Sequence, residues 1–135
     1  MAINTLFQLL ALQEEQPDLL RRAKHLLFIP DLLAAMLGAD LTWERSIAST
    51  SQMWNPVAGT WDLELLRQMG MDPGLFGAMT DSGSIIGALP DSTKIIAVAG
   101  HDTQCAVAAM PVEEGESAAF LSCGTWSLIG CELET

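Results

Sequence analysis

The chain has little positive charge. Six lysines and arginines stand against 17 aspartates and glutamates, for a formal charge of −11. Nucleic acids and anionic membranes both need a basic face, so neither is an expected partner. A nucleotide stays possible on charge, because backbone N–H groups and a magnesium ion neutralise phosphates without many lysines. Long hydrophobic runs are also missing. The longest, such as Ile95-Ile96-Ala97-Val98-Ala99, are far too short to cross a bilayer. Met1-Ala2-Ile3-Asn4 has neither the basic start nor the apolar stretch of an export signal. The cysteines are few and odd in number, Cys105, Cys123 and Cys131, with no C-x-x-C. The expectation is a cytoplasmic protein with free thiols that serve as small buried hydrophobes.

Several motifs are absent, and each absence removes a class of chemistry. No G-x-x-x-x-G-K-[ST], G-x-G-x-x-G or G-x-S-x-G occurs. P-loop nucleotide binding, dinucleotide binding and α/β-hydrolase chemistry are therefore disfavoured. No His, Cys and Asp cluster has zinc spacing, so no metal ligand is assigned, and His25 is read as structural. Trp43, Trp54, Trp61 and Trp126 are not interleaved with basic residues, which reads as packing and not as a nucleobase-stacking platform.

Half of the 135 residues are hydrophobic, enough for one domain with a modest core. Residues 5–15 have helical spacing, with Thr5 and Gln8 placed for a capping box and Leu6, Leu9, Leu10 and Gln13 on one face. Pro17 should open a second helix that turns Leu19, Leu20 and Ala23 inward. Pro30 should open a third, closed by Gly38. Residues 39–60 lack a sustained period and are expected to be extended segments and turns, with turns at Asn55-Pro56 and Ala58-Gly59. A short helix is expected from Asp62 to Met69, stopped by Gly70, and a further turn of helix is capped by Asp72-Pro73. Residues 80–94 read as a connection with one short strand at Ile85-Ile86. The β-branched run Ile95 to Ala99 predicts a buried parallel strand, followed by a small-residue helix from Thr103 to Met110. Residues 118–122 and 127–133 read as strands around a Gly124-Thr125 turn.

Asp102 is the leading candidate for chemistry. It follows the end of an apolar strand, where open α/β sheets bind their ligands, and Gly100 lets backbone approach closely. A carboxylate there can accept a proton from a hydroxyl as its oxygen attacks phosphorus. By spacing alone it reads rather as the cap of the following helix. His101 is placed to hydrogen-bond a substrate hydroxyl, or to be satisfied by backbone. Gly124-Thr125 is either a plain hairpin turn or a phosphate contact made by successive N–H groups and the Thr125 hydroxyl. Asp81-Ser82-Gly83-Ser84 lacks a preceding apolar strand and reads as a turn.

Five stretches, in order, resemble the FGGY carbohydrate kinases. They are Asn4-Thr5-Leu6-Phe7-Gln8-Leu9, Ile29-Pro30-Asp31, Thr50-Ser51-Gln52-Met53, Gly100-His101-Asp102-Thr103 and Ser122-Cys123-Gly124-Thr125-Trp126-Ser127-Leu128. Cys123 stands where the family more often has serine. The resemblance implies an α/β chain that is part of a ribonuclease H-like ATPase fold of the actin/Hsp70 type. It implies ATP-dependent, magnesium-assisted phosphorylation of the 1-hydroxyl of L-rhamnulose. Asp102 is then the proton acceptor, His101, Asp102 and Thr103 touch the sugar, and Gly124 and Thr125 contact ATP. Gly-His-Asp-Thr-Gln and Thr-Ser-Gln-Met also resemble members acting on L-fuculose; that sugar or another ketose stays open as the alternative, as does a non-catalytic sugar-binding or scaffolding module of the same fold. By the same resemblance, residues 1–110 form the later part of the first lobe, with its last strand and connecting helix. Residues 111–135 open the second, ATP-binding lobe with a hairpin. The family's Asp-x-Gly phosphate loop and Gly-rich adenosine region are not in this sequence. The expectation is an internal fragment that depends on the missing kinase segments and is inactive alone.

Overall fold

The structure, a computed structural model, describes residues 3–113 and 115–131. They fall into two compact units, Met1–Gly100 and His101–Thr135.

In the first unit α1 spans Thr5–Glu15 and α2 spans Pro17–Arg22, with Pro17 in the first turn as its fixed φ favours. The expected capping box does not form. Asn4 is the N-cap residue, and its side chain instead donates to the Thr50 carbonyl at 2.8 Å, tying the helix to a distant turn. Leu9 is buried and Leu6, Leu20 and Ala23 pack against the core, whereas Leu10 and Leu19 are exposed. The helix α3, Ile29–Met36, ends at Gly38, whose φ of +100° glycine adopts without a Cβ penalty.

Residues 39–60 hold more order than their pattern suggests. Strand β1, Trp43–Glu44, leads directly into a five-residue helix, α4, Arg45–Ser49. No apolar period announces α4, because its start is held by the Glu44 carboxylate and not by an amphipathic face. Strands β2, Trp54–Asn55, and β3, Thr60–Trp61, form a small hairpin. The Asn55 side chain accepts from the N–H groups of Val57 and Ala58, and Gly59 closes the turn at φ +65°, as expected of both turn pairs. The helix α5, Leu63–Gln68, is capped by Asp62, and a 3₁₀ turn at Pro73–Leu75 by Asp72. Strand β4, Met79–Thr80, pairs with β1 in parallel.

Leu9, Trp43, Ala48, Met53, Trp61, Leu66, Met71, Leu75 and Phe76 form the core. Both indoles spend their N–H groups on backbone: Trp43 on the Leu26 carbonyl and Trp61 on that of Gly77. A Cβ added to Gly77 would lie 2.1 Å from the Trp43 ring, so this glycine makes room for the indole. Asp81-Ser82-Gly83-Ser84 is a turn, as expected, with the Ser84 N–H on the Asp81 carbonyl.

The strand after Lys94 departs from expectation. Strands β5, Ile85–Ala88, and β6, Lys94–Ile96, form an antiparallel pair with an irregular register between Ile85 and Gly87. The connection through Leu89–Thr93 is too short for the parallel crossover that β-branched residues suggested. Ala97 is buried, while Ile96 and Val98 are exposed, since β6 pairs only with β5 among the described residues.

In the second unit α6, Asp102–Ala108, buries none of its residues. Strands β7, Ala119–Cys123, and β8, Ser127–Cys131, pair in antiparallel register around Gly124-Thr125-Trp126. The expected continuation of β8 beyond Cys131 lies outside the described residues. All three cysteines are exposed, not buried: Cys123 and Cys131 sit on this hairpin and Cys105 on α6, none of whose residues is buried.

Candidate functional site

Three of the anticipated residues are brought together at the start of α6. His101 is the N-cap residue, with extended backbone, and the helix begins at Asp102, so Asp102 is its first residue and not its cap. The Asp102 side chain is 98 % exposed. One carboxylate oxygen, Oδ1, accepts from the Thr103 N–H at 2.6 Å and the Thr103 hydroxyl at 3.3 Å, and lies 3.5 Å from His101 Nδ1. The other oxygen has no partner among the described residues. The Thr103 contacts orient the carboxylate.

Gly124 and Thr125 sit at the tip of the β7–β8 hairpin, both exposed. The Gly124 N–H donates to the Trp126 carbonyl at 3.0 Å, so it closes the turn. This leaves the Thr125 hydroxyl as the donor without a protein partner among the described residues. Among the described residues no hydrogen bond or ion pair joins this turn to His101, Asp102 or Thr103, and none of their His, Cys, Asp and Glu side chains form a group of three that could hold a metal ion.

The structure also shows a polar centre that sequence reasoning missed. Glu44 is 1 % exposed and takes five hydrogen bonds. Its Oε1 accepts from the Ser46 N–H at 2.9 Å and the Ser82 hydroxyl at 2.6 Å. Its Oε2 accepts from the Ser46 hydroxyl at 2.5 Å, the Ile47 N–H at 3.1 Å and the Gly100 N–H at 3.0 Å. Burial acts to raise the Glu44 pKa, but the donated bonds from Ser46, Ser82 and Gly100 together outweigh it and hold the carboxyl below its usual range. Behind it, Asp31 is 4 % exposed; its Oδ1 accepts from the Glu44 N–H at 3.2 Å, and its Oδ2 is buried without a partner among the described residues. Burial pushes the Asp31 carboxyl up to about 6; the Glu44 N–H works against the rise and the Glu44 charge adds to it. The available signal was slight. Glutamate is an unfavoured N-cap residue, and only a Glu-x-Ser step after an aromatic marks the position.

These elements belong to a recognisable class. The sequence profile of the N-terminal domain of the FGGY family of carbohydrate kinases matches residues 1–112, and the chain belongs to that family. Xylulose kinase and gluconate kinase from Lactobacillus acidophilus share its α/β fold, each with a TM-score of 0.67 over 73 % of this chain and 22 % of theirs, at 19 % identity. Among individual relatives, rhamnulokinase of Enterobacter sp. (strain 638) is 42 % identical over 136 residues, and rhamnulokinase of Yersinia pestis (strain Pestoides F) 45 %. Each alignment covers 98 % of this chain and 28 % of the relative, so the chain spans somewhat more than a quarter of their length. No helix among the described residues is long and apolar enough to cross a membrane.

Proposed function

We propose that these residues are part of an ATP-dependent kinase that phosphorylates the 1-hydroxyl of L-rhamnulose. The observation that carries the reading is the Asp102 carboxylate, exposed at a helix start with one oxygen held by Thr103 and the other open. The identity to rhamnulokinases supports the choice of sugar over L-fuculose. Asp102 accepts the proton of the sugar hydroxyl as that oxygen bonds to phosphorus. His101 and Thr103 flank it and hydrogen-bond the sugar. ATP supplies the phosphoryl group, and Thr125 is the residue of this chain that would hold it. For magnesium the described residues offer no cluster of carboxylates, histidines or cysteines. Residues 1–110 are assigned to the later part of the first kinase lobe and residues 111–135 to the opening hairpin of the second. Because the chain spans 28 % of its relatives, the reaction is assigned to the complete open reading frame that encodes it, and these 135 residues alone are expected to turn over no ATP.

The test is ADP release by the product of that reading frame with L-rhamnulose, L-fuculose and D-xylulose, beside the Asp102→Asn variant. Turnover with L-rhamnulose that the substitution reduces at least about 100-fold is the expected result, the scale usual for a general base. A folded protein silent with all three ketoses would overturn the reading and favour a non-catalytic sugar-binding module.

A further inference from the structure

Glu44 joins three separate stretches of the first unit through one side chain. They are the junction of β1 with the first turn of α4, the turn at Ser82, and Gly100, which lies 56 residues further along. All five of its contacts are donors, two from hydroxyls and three from backbone N–H groups. Only a carboxylate suits such a set. An amide turned either way would set its own N–H against the N–H of Ser46, or against those of Ile47 and Gly100. The Asp31 carboxylate receives the Glu44 N–H and so orients the residue from behind.

Gly100 is held as closely as its donor. A Cβ there would lie 2.9 Å from Cβ and Cγ2 of Ile47 and 3.4 Å from Glu44 Oε2. This close fit and the charge-assisted hydrogen bond act on the same backbone atoms. The chain runs from Gly100 directly into His101 and Asp102, so the anchored N–H lies two residues before the carboxylate assigned as the base.

We infer that Glu44 is a positioning residue for phosphoryl transfer: through the Gly100 N–H it holds the backbone from which His101 and Asp102 depart. The inference rests on the kinase reading above. Glu44 touches neither sugar nor nucleotide in this role. Its loss acts on the alignment of Asp102, where a displacement of about 1 Å can cost about 100-fold in rate. The effect should therefore fall on kcat and leave the KM for the ketose nearly unchanged.

The experiment uses the complete reading frame and steady-state kinetics with L-rhamnulose, alongside thermal melting. Four variants are compared with the unsubstituted protein: Glu44→Gln, Gly100→Ala, Asp102→Asn and Asp62→Ala. Asp62→Ala removes the cap of α5 and lowers stability without touching the Glu44 centre. Glu44→Gln is expected to lower kcat at least tenfold with the KM for L-rhamnulose within threefold. Gly100→Ala, which keeps the carboxylate and displaces only the backbone it holds, is expected to do the same and serves if Glu44→Gln does not fold. Asp62→Ala should lower the melting temperature with kcat unchanged, which separates positioning from general destabilisation. If the unsubstituted protein is active, Asp102→Asn is not, and folded Glu44→Gln or Gly100→Ala retains full kcat, the positioning role is overturned while the kinase reading stands. A silent unsubstituted protein overturns the kinase reading, and the role of Glu44 with it.

Discussion

Replacing Asp31 with asparagine should change how stability depends on pH. In the folded chain burial raises this carboxyl from its ordinary 3.8 to about 6. Between those two values the folded state holds a proton that the unfolded state has released. The group's stabilising contribution is therefore complete below pH 3.8 and is lost as pH rises through about 6. A rise of about two pKa units, at 1.36 kcal/mol each, sets a ceiling of about 3 kcal/mol on the loss. Asparagine can still accept the Glu44 N–H with its carbonyl oxygen, but its amide nitrogen takes the place of Oδ2, which has no partner. That cost is the same at every pH, so it cancels in the comparison between pH values. Urea unfolding of both proteins from pH 4 to pH 8 provides the assay. Relative to Asp31→Asn, the unsubstituted protein should lose about 2–3 kcal/mol over this range, mostly between about pH 4 and pH 6. Parallel stability profiles would refute the reasoning, because they would mean that Asp31 titrates alike in the folded and unfolded states.

Glu44 should shape the opposite limb of the same profile. Its pKa is lowered, so its contribution is present above the unfolded value near 4.5 and lost as pH falls through the folded one; Glu44→Gln should flatten the acid limb in the same urea series. Gly77→Ala should cost about 1–3 kcal/mol or more, because the new methyl meets the Trp43 ring and not the end of a flexible chain, and tryptophan fluorescence during unfolding reports it. Asp81→Ala breaks the 2.7 Å pair with Arg45 but should change stability by less than about 1 kcal/mol, since both side chains are well exposed and Arg45 keeps its place over Trp54. Asp102→Asn should leave the melting temperature within about 1 °C of the unsubstituted protein, because an exposed side chain away from a cap or core contact contributes little to stability.

The parts of the fold legible in the sequence were those set by local chemistry. Pro17, Gly38, Asn55, Asp62, Gly70 and Asp72 each start or stop an element through their own φ or their own side-chain oxygen, and each does so where expected. The capping box at Thr5 failed because Asn4 takes the cap position and its side chain finds a carbonyl 46 residues away. The helix α4 was missed because a carboxylate with partners from two other stretches holds it. The buried parallel strand was expected from β-branched composition, yet β6 lies beside β5 and stays partly open, since composition reports what a strand would like to bury and not what covers it.

The candidate site divides along the same line. By itself the sequence determined the family and the order of its matching stretches, and it singled out His101, Asp102, Thr103, Gly124 and Thr125 as candidates, because each is recognised by neighbours within a few positions. Tertiary structure alone decided that Thr103 holds one Asp102 oxygen and leaves the other open, and that the Gly124 N–H is spent on its own turn. It alone joined Asp31, Glu44, Ser82 and Gly100. The physical reason is distance along the chain. Two carboxylates 13 residues apart, one of them bonded to an N–H 56 residues on, share no local pattern, and only folding brings them within 3.2 Å of their partners.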